Sequence, residues 1–299
     1  MNQPQLTWED SVWFSDIDDT LINTANLTTA GSESIRTVFQ SCFGQEIAEK
    51  IQKNFQNVFN TLLFGHRRHT PADWEDFIKE KEAYDALVDQ ITNFQQEIKE
   101  QYGSIRRWSR EVFIKIACDQ EMLAVDPETI YEAGDAYWLQ LSEKTELLPG
   151  VVELIHEIKR HNKPLFLVTG SDARLKLKSN GQFAYDPAYS ETFKRQRIQL
   201  LREKGLEFNT VSIGDPEDKP HLDFFQKGVK AAEEHIGHPI DLSKAIMIGD
   251  GYPADLQVPK EQMGFGLVVL YQPGKQDTEV RDEHYVETGN LANISQFLR

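Results

Sequence analysis

Five short apolar runs punctuate the chain: Val12 to Phe14, Leu165 to Val168, Val211 to Ile213, Ala245 to Ile248 and Leu267 to Leu270. Each is too short for a helix and is bounded by turn residues, so each reads as a strand buried on both faces. Helix-spaced apolar sets lie between the later runs. Val151, Leu154, Ile155 and Ile158 follow Pro149-Gly150, and Phe225, Val229, Ala232 and Ile236 precede Gly237. Strand and helix alternating in this way require right-handed crossovers, so the expected fold class is α/β with a doubly wound parallel sheet.

The strand signal lapses from about Thr28 to Glu146. Helix-spaced sets replace it: Ile35, Val38, Phe39 and Cys42; Trp74, Phe77 and Ile78; Tyr84, Leu87, Val88 and Ile91; Trp108, Val112 and Ile116. This spacing predicts an all-helical domain over 28–146, inserted into a core made of 1–27 and 147–299. Trp74, Trp108 and Trp138 fit its apolar faces as core residues. Cys42 and Cys118 belong to no metal-ligand spacing and read as reduced core residues.

Charge narrows the function. With 48 acidic against 32 basic side chains, the net charge of -16 repels nucleic-acid phosphates and anionic lipid, so neither is an expected partner. The first residues, MNQPQLTWED, lack the basic start and apolar stretch of a secretion signal, and no run reaches membrane-span length. A cytoplasmic location is expected.

In open parallel sheets, ligands bind beyond the carboxyl ends of the strands, where the winding direction switches. The residues following each run are therefore the informative ones. The first run leads into Ser15-Asp16-Ile17-Asp18-Asp19-Thr20, the second into Thr169-Gly170-Ser171-Asp172, and the fourth into Gly249-Asp250, with Asp255 a short loop later. Lys219 stands in the loop after the third run. Three acids at one buried strand end need a counter-charge or a hard cation.

These residues carry a family resemblance. FSDIDDTLI resembles the first motif of the haloacid dehalogenase superfamily, DxDx[TV], through Asp16, Asp18 and Thr20. LFLVTG is similar to the second motif through Thr169, DKPHLDFF to the third through Lys219, and IMIGDGYPAD to the fourth, GDxxxxD, through Asp250 and Asp255. The helical insertion between the first two motifs is similar to the family's helical cap.

The resemblance implies a phosphatase acting on a small phosphorylated metabolite, with Asp16 as nucleophile and Asp18 as acid and base. It implies Mg2+ held by Asp16, Asp250 and the backbone carbonyl of Asp18. Lys219, Thr169 and Gly170 would hold the phosphoryl group, and Asp255 would orient Lys219 or a metal-bound water. A phosphomutase of the same superfamily would keep all these residues, and a non-catalytic phosphate-and-metal-binding protein could keep them too. Dehalogenase relatives typically lack an acid at the position of Asp18 and need no magnesium. Asp19 departs from the commoner family pattern, which has Gly there; a left-handed backbone at that position would be tolerated by Asp better than by most residues.

Several features have plainer readings. Ile213-Gly214-Asp215 repeats the Ile248-Gly249-Asp250 pattern but lacks a second Asp at the spacing of Asp255, so Asp215 reads as loop. The basic clusters HRRHT (His66 to Thr70) and RRWSR (Arg106 to Arg110) could meet a substrate's leaving group, yet exposed helix faces with local partners are the simpler expectation.

Overall fold

The computed structural model describes residues 6–66, 68, 71–214 and 218–299. Its strands are β1 (Val12–Ser15), β2 (Leu165–Gly170), β3 (Leu175–Leu177), β4 (Phe183–Tyr185), β5 (Thr210–Gly214), β6 (Ala245–Gly249), β7 (Leu267–Tyr271), β8 (Glu279–Asp282) and β9 (Tyr285–Thr288). Its α-helices are α1 (Thr28–Phe43), α2 (Gln45–His66), α3 (Ile78–Phe94), α4 (Gln96–Tyr102), α5 (Arg110–Gln120), α6 (Pro127–Lys144), α7 (Val151–Arg160), α8 (Pro187–Glu203) and α9 (Leu222–Ile236). The chain divides into two compact units, one of Met1–Ala25, Thr145–Ser171 and Arg195–Arg299, the other of Asn26–Lys144 and Asp172–Lys194.

The first unit is built on a seven-stranded sheet in the order β5-β2-β1-β6-β7-β9-β8, parallel except for the edge strand β8. Successive residues of β1 point to opposite faces, and both faces are covered. Trp13 packs with Val151, Leu154 and Ile158 of α7, whereas Phe14 packs with Phe224, Phe225 and Val229 of α9. Burial on both sides is why the run is apolar throughout rather than alternating. The winding reverses between β1 and β6, since the chain runs outward through β2 and β5 and then returns beside β1. That reversal opens a crevice at the carboxyl ends of these two strands.

The first βα connection is a tight turn. The Ile17 carbonyl accepts from the N–H groups of Thr20, Leu21 and Ile22, while Ile17, Leu21 and Ile22 are buried. Asp19 takes φ 58°, in the left-handed region that Asp tolerates better than most residues, and its Oδ1 accepts from the Ala25 N–H at 2.7 Å.

The second unit is helical apart from the β3–β4 hairpin. Its core joins Ile35 and Phe39 of α1, Ile51 and Phe55 of α2, Phe113 and Ile116 of α5, and Tyr137 and Leu141 of α6. Helices α1 and α6 approach closely because position 31 is glycine; a Cβ there would lie 2.4 Å from the Tyr137 ring. Its segment 172–194 is anchored by buried charge. Arg174 donates from Nε to Glu111 at 2.9 Å and from its terminal nitrogen to Asp135, while Lys194 pairs with Asp172 at 3.1 Å.

Three sequence expectations need correction. Cys42 is exposed: it lies on the apolar side of α1 but in the last turn, past Phe39, the last buried residue of that helix. Phe77 and Ile78 do not continue a buried helical face with Trp74. Trp74 ends a short turn, Pro71–Trp74, α3 starts at Ile78, and Phe77 and Ile78 are both exposed. Among the described basic residues, Arg106 and Arg110 are buried rather than exposed. Their guanidinium groups lie over aromatic rings, Arg106 at 4.0 Å from Tyr185 and Arg110 at 5.0 Å from Tyr137 and from Trp138, a setting that suits a weakly hydrated planar cation. Arg107 remains exposed, and Arg67, His69, Thr70 and Asp215 lie outside the described residues. No described helix is long and apolar enough to cross a membrane.

Candidate active site

β1 delivers Asp16 and β6 delivers Asp250 at the point where the sheet winding reverses. The Asp16 N–H extends the ladder to the Ile248 carbonyl at 2.9 Å, fixing the acid at the strand's end. Asp255 reaches the same place from a helical turn, Tyr252–Leu256, whose start is tied by the Gly251 N–H donating to Asp255 Oδ2 at 2.9 Å. Gly249 makes this approach possible, because a Cβ at that position would lie 2.3 Å from the Asp255 Cβ. Asp16, Asp250 and Asp255 each offer an oxygen within 4.8 Å of the others.

Lys219 projects into this cluster from the loop after β5. Its Nζ donates to Asp16 and, at 2.6 Å, to Asp255. Thr20 donates to Asp16 at 3.3 Å and lies 3.5 Å from Asp250 Oδ1. Five of the anticipated residues, Asp16, Thr20, Lys219, Asp250 and Asp255, therefore share one set of contacts.

Thr169 and Gly170 end β2, the neighbour of β1, two and three positions beyond the Ser15–Leu167 pairing. Thr169 is buried, with its hydroxyl 3.4 Å from the Gly170 carbonyl. A Cβ on Gly170 would stand 3.0 Å from the carboxylate of Asp218, the residue preceding Lys219. Asp18 is oriented otherwise. Its carboxylate accepts from both terminal nitrogens of Arg197 and from the Thr24 hydroxyl. Arg197 and Thr24 were not anticipated; an arginine within the RQRIQLL stretch reads as an ordinary helix residue.

Three carboxylates facing one ammonium leave the cluster short of positive charge. Burial pushes the Asp16 carboxyl up to about 6 despite the attraction of Lys219, with the charges of Asp255 and Asp18 adding to the rise. Asp250 is driven well above the ordinary carboxylate range by desolvation and by Asp255, Asp16 and Asp19. Burial alone would lower the Lys219 pKa, but the charges of Asp16 and Asp255 outweigh it and hold the ammonium firmly protonated. Hard oxygen donors with surplus negative charge fit a small divalent cation such as magnesium.

This ordered set of acids and lysine along a doubly wound sheet coincides with a family match across residues 12–261, to haloacid dehalogenase-like hydrolases. The chain belongs to that family. Solved structures of the same fold include a HAD phosphatase from Thermococcus onnurineus, at 15% identity and TM-score 0.50, covering 96% of each chain. A 2-haloacid dehalogenase from Pseudomonas syringae pv. Tomato DC3000 aligns at 17% identity and TM-score 0.52, over 96% of this chain and 97% of that one. No curated protein sequence matches. A phosphatase and a dehalogenase on one fold leave the choice of reaction to the site residues of this haloacid dehalogenase-like hydrolase.

Proposed function

We propose that this hydrolase is a magnesium-dependent phosphomonoesterase acting on a small phosphorylated metabolite through an aspartyl phosphate at Asp16. The observation that carries the reading is the convergence of Asp16, Asp250 and Asp255 around Lys219, with a second acid, Asp18, two residues beyond the nucleophile. That second acid favours ester hydrolysis over dehalogenation, since an alkoxide must be protonated as it leaves whereas a halide need not be.

A carboxylate oxygen of Asp16 attacks phosphorus in line with the ester oxygen; an O–P bond forms and the ester P–O bond breaks. Asp18 gives its proton to the departing oxygen, then takes one from the water that cleaves the acyl phosphate and frees inorganic phosphate. Lys219 offsets phosphoryl charge from its position between Asp16 and Asp255, and Thr169 and the Gly170 N–H supply donors at the next strand end. Magnesium held by Asp16, Asp250 and the Asp18 carbonyl, with Asp255 beside them, would supply the positive charge that lets an anionic ester approach an anionic nucleophile.

A panel of phosphate monoesters assayed with magnesium and with chelator tests this reading. Release of free phosphate that stops in chelator and returns with magnesium is the expected result; unchanged hydrolysis in chelator would overturn it. Turnover that needs a sugar bisphosphate and frees little phosphate would identify a phosphomutase instead.

The raised carboxyls give a pH signature. Folded Asp16 holds its proton more tightly than the unfolded chain does, so the metal-free protein loses stability as pH rises from the ordinary carboxylate range through about 6. A cation must displace that proton. Calorimetric magnesium affinity should therefore fall about tenfold between about pH 7 and about pH 5 for the Asp16 proton alone. Affinity that is flat across this range would contradict the assignment of Asp16 as a ligand.

A further inference from the structure

Asp18 is held by a two-pronged grip. Arg197 donates from Nη1 to Oδ1 at 2.9 Å and from Nη2 to Oδ2 at 3.0 Å, and the Thr24 hydroxyl donates to Oδ1 at 2.6 Å. The arginine side chain is 4% exposed, and that of Asp18 is 29% exposed. Two parallel N–H···O bonds lock a carboxylate in plane and direction as well as in distance, because turning it breaks both. A lysine would supply charge without that directional control. Attraction to the wider acid cluster does not account for the pairing: Lys219 serves Asp16 and Asp255, while Arg197 engages both oxygens of Asp18.

We propose that Arg197 is the positioning residue for Asp18: it sets the direction of the acid–base carboxylate and thereby the rate of leaving-group departure, without itself touching the phosphoryl group. The inference rests on the phosphomonoesterase reading above. It assigns a function to a residue in α8, outside the four motif segments. Misdirecting a proton donor by about an ångström costs on the order of a hundredfold in rate. In the leaving-group step the cost should fall on substrates that need the donor.

The test uses the full-length protein with magnesium and compares wild type, Arg197→Lys, Arg197→Gln, Asp18→Asn and the Asp18→Asn/Arg197→Gln double variant. Substrates are p-nitrophenyl phosphate, whose phenolate leaves unaided, and an alkyl phosphate, whose alkoxide does not. For Arg197→Gln, kcat/KM, which reports the leaving-group step, should drop about a hundredfold on the alkyl ester and about tenfold or less on p-nitrophenyl phosphate, while kcat, which also contains the Asp18-assisted breakdown of the aspartyl phosphate, falls on both. Arg197→Lys should recover only a small part of the loss. The double variant should be no slower than Asp18→Asn, because an orienting group has nothing left to orient.

Multiplicative losses in the double variant, a raised KM at unchanged kcat, or equal losses of kcat/KM on both esters would overturn the proposal. So would failure of both Arg197 variants to fold, since the arginine would then be a scaffold residue. If wild type hydrolyses neither ester, the phosphomonoesterase reading fails; if it hydrolyses both and the Arg197 variants match it, this inference alone fails.

Discussion

Asp16→Asn is expected to reduce phosphate release by about a thousandfold or more, with the fold intact. The substitution keeps the shape of the side chain and the backbone bond to Ile248 while removing the carboxylate oxygen proposed to attack phosphorus. It also removes one of the like charges that crowd Asp250 and Asp255. At about pH 8 the metal-free variant should therefore melt no lower than wild type, because Asp16 is a residue the fold prefers uncharged. Mass spectrometry of acid-quenched reactions supplies the direct reading: wild type should carry one added phosphoryl group, lost in the variant. A phosphorylated Asp16→Asn protein, or one that turns over normally, would remove Asp16 from the reaction.

Arg174→Met is expected to destabilise the second unit by about 3–5 kcal/mol, the cost of leaving a buried charge without its partner. Arg174 and Glu111 have side chains 1% and 0% exposed, so solvent cannot replace the lost ion pair. The Phe193 ring, 4.4 Å from the guanidinium, would still pack against Met, but among the described residues Glu111 would keep only the Ser109 hydroxyl at 2.8 Å. Hydrogen exchange across α5 and α6 reads the effect locally, separate from melting of the sheet unit. Adding Glu111→Gln should recover much of the loss, since a neutral amide tolerates that site better than an unpaired carboxylate. No change in protection with Arg174→Met would show that the pair contributes little.

Much of the scaffold was readable from residue order because the central strands are buried on both sides. β1, β2, β5, β6 and β7 match the apolar runs to within two residues at either end. The edge hairpin of β8 and β9 was missed: EVRD and YVET alternate charge with apolar side chains, and Lys275, Arg281 and Glu287 pair across it in ways a run of charged residues does not announce. The acids at the strand ends were legible because nearest neighbours in sequence stay neighbours at a turn. The grip on Asp18 was not, since its partner lies 179 residues away on a helix whose polar pattern looks solvated. Arg106 and Arg110 misled in the opposite sense. Basic clusters suggest a wet surface, but here the charges are covered by aromatic faces contributed from the β3–β4 hairpin and from distant helices.

The left-handed residue at position 19 joins two properties that glycine would separate. Glycine would adopt the same backbone angles at lower steric cost, yet it would forfeit both the tether to Ala25 and a carboxylate whose charge bears on Asp250. The turn thereby becomes a source of electric field as well as a bend. Dissolved ions, by shielding that field, gain a hold over how readily the neighbouring acids capture a cation, a dependence that a neutral bend would leave weaker.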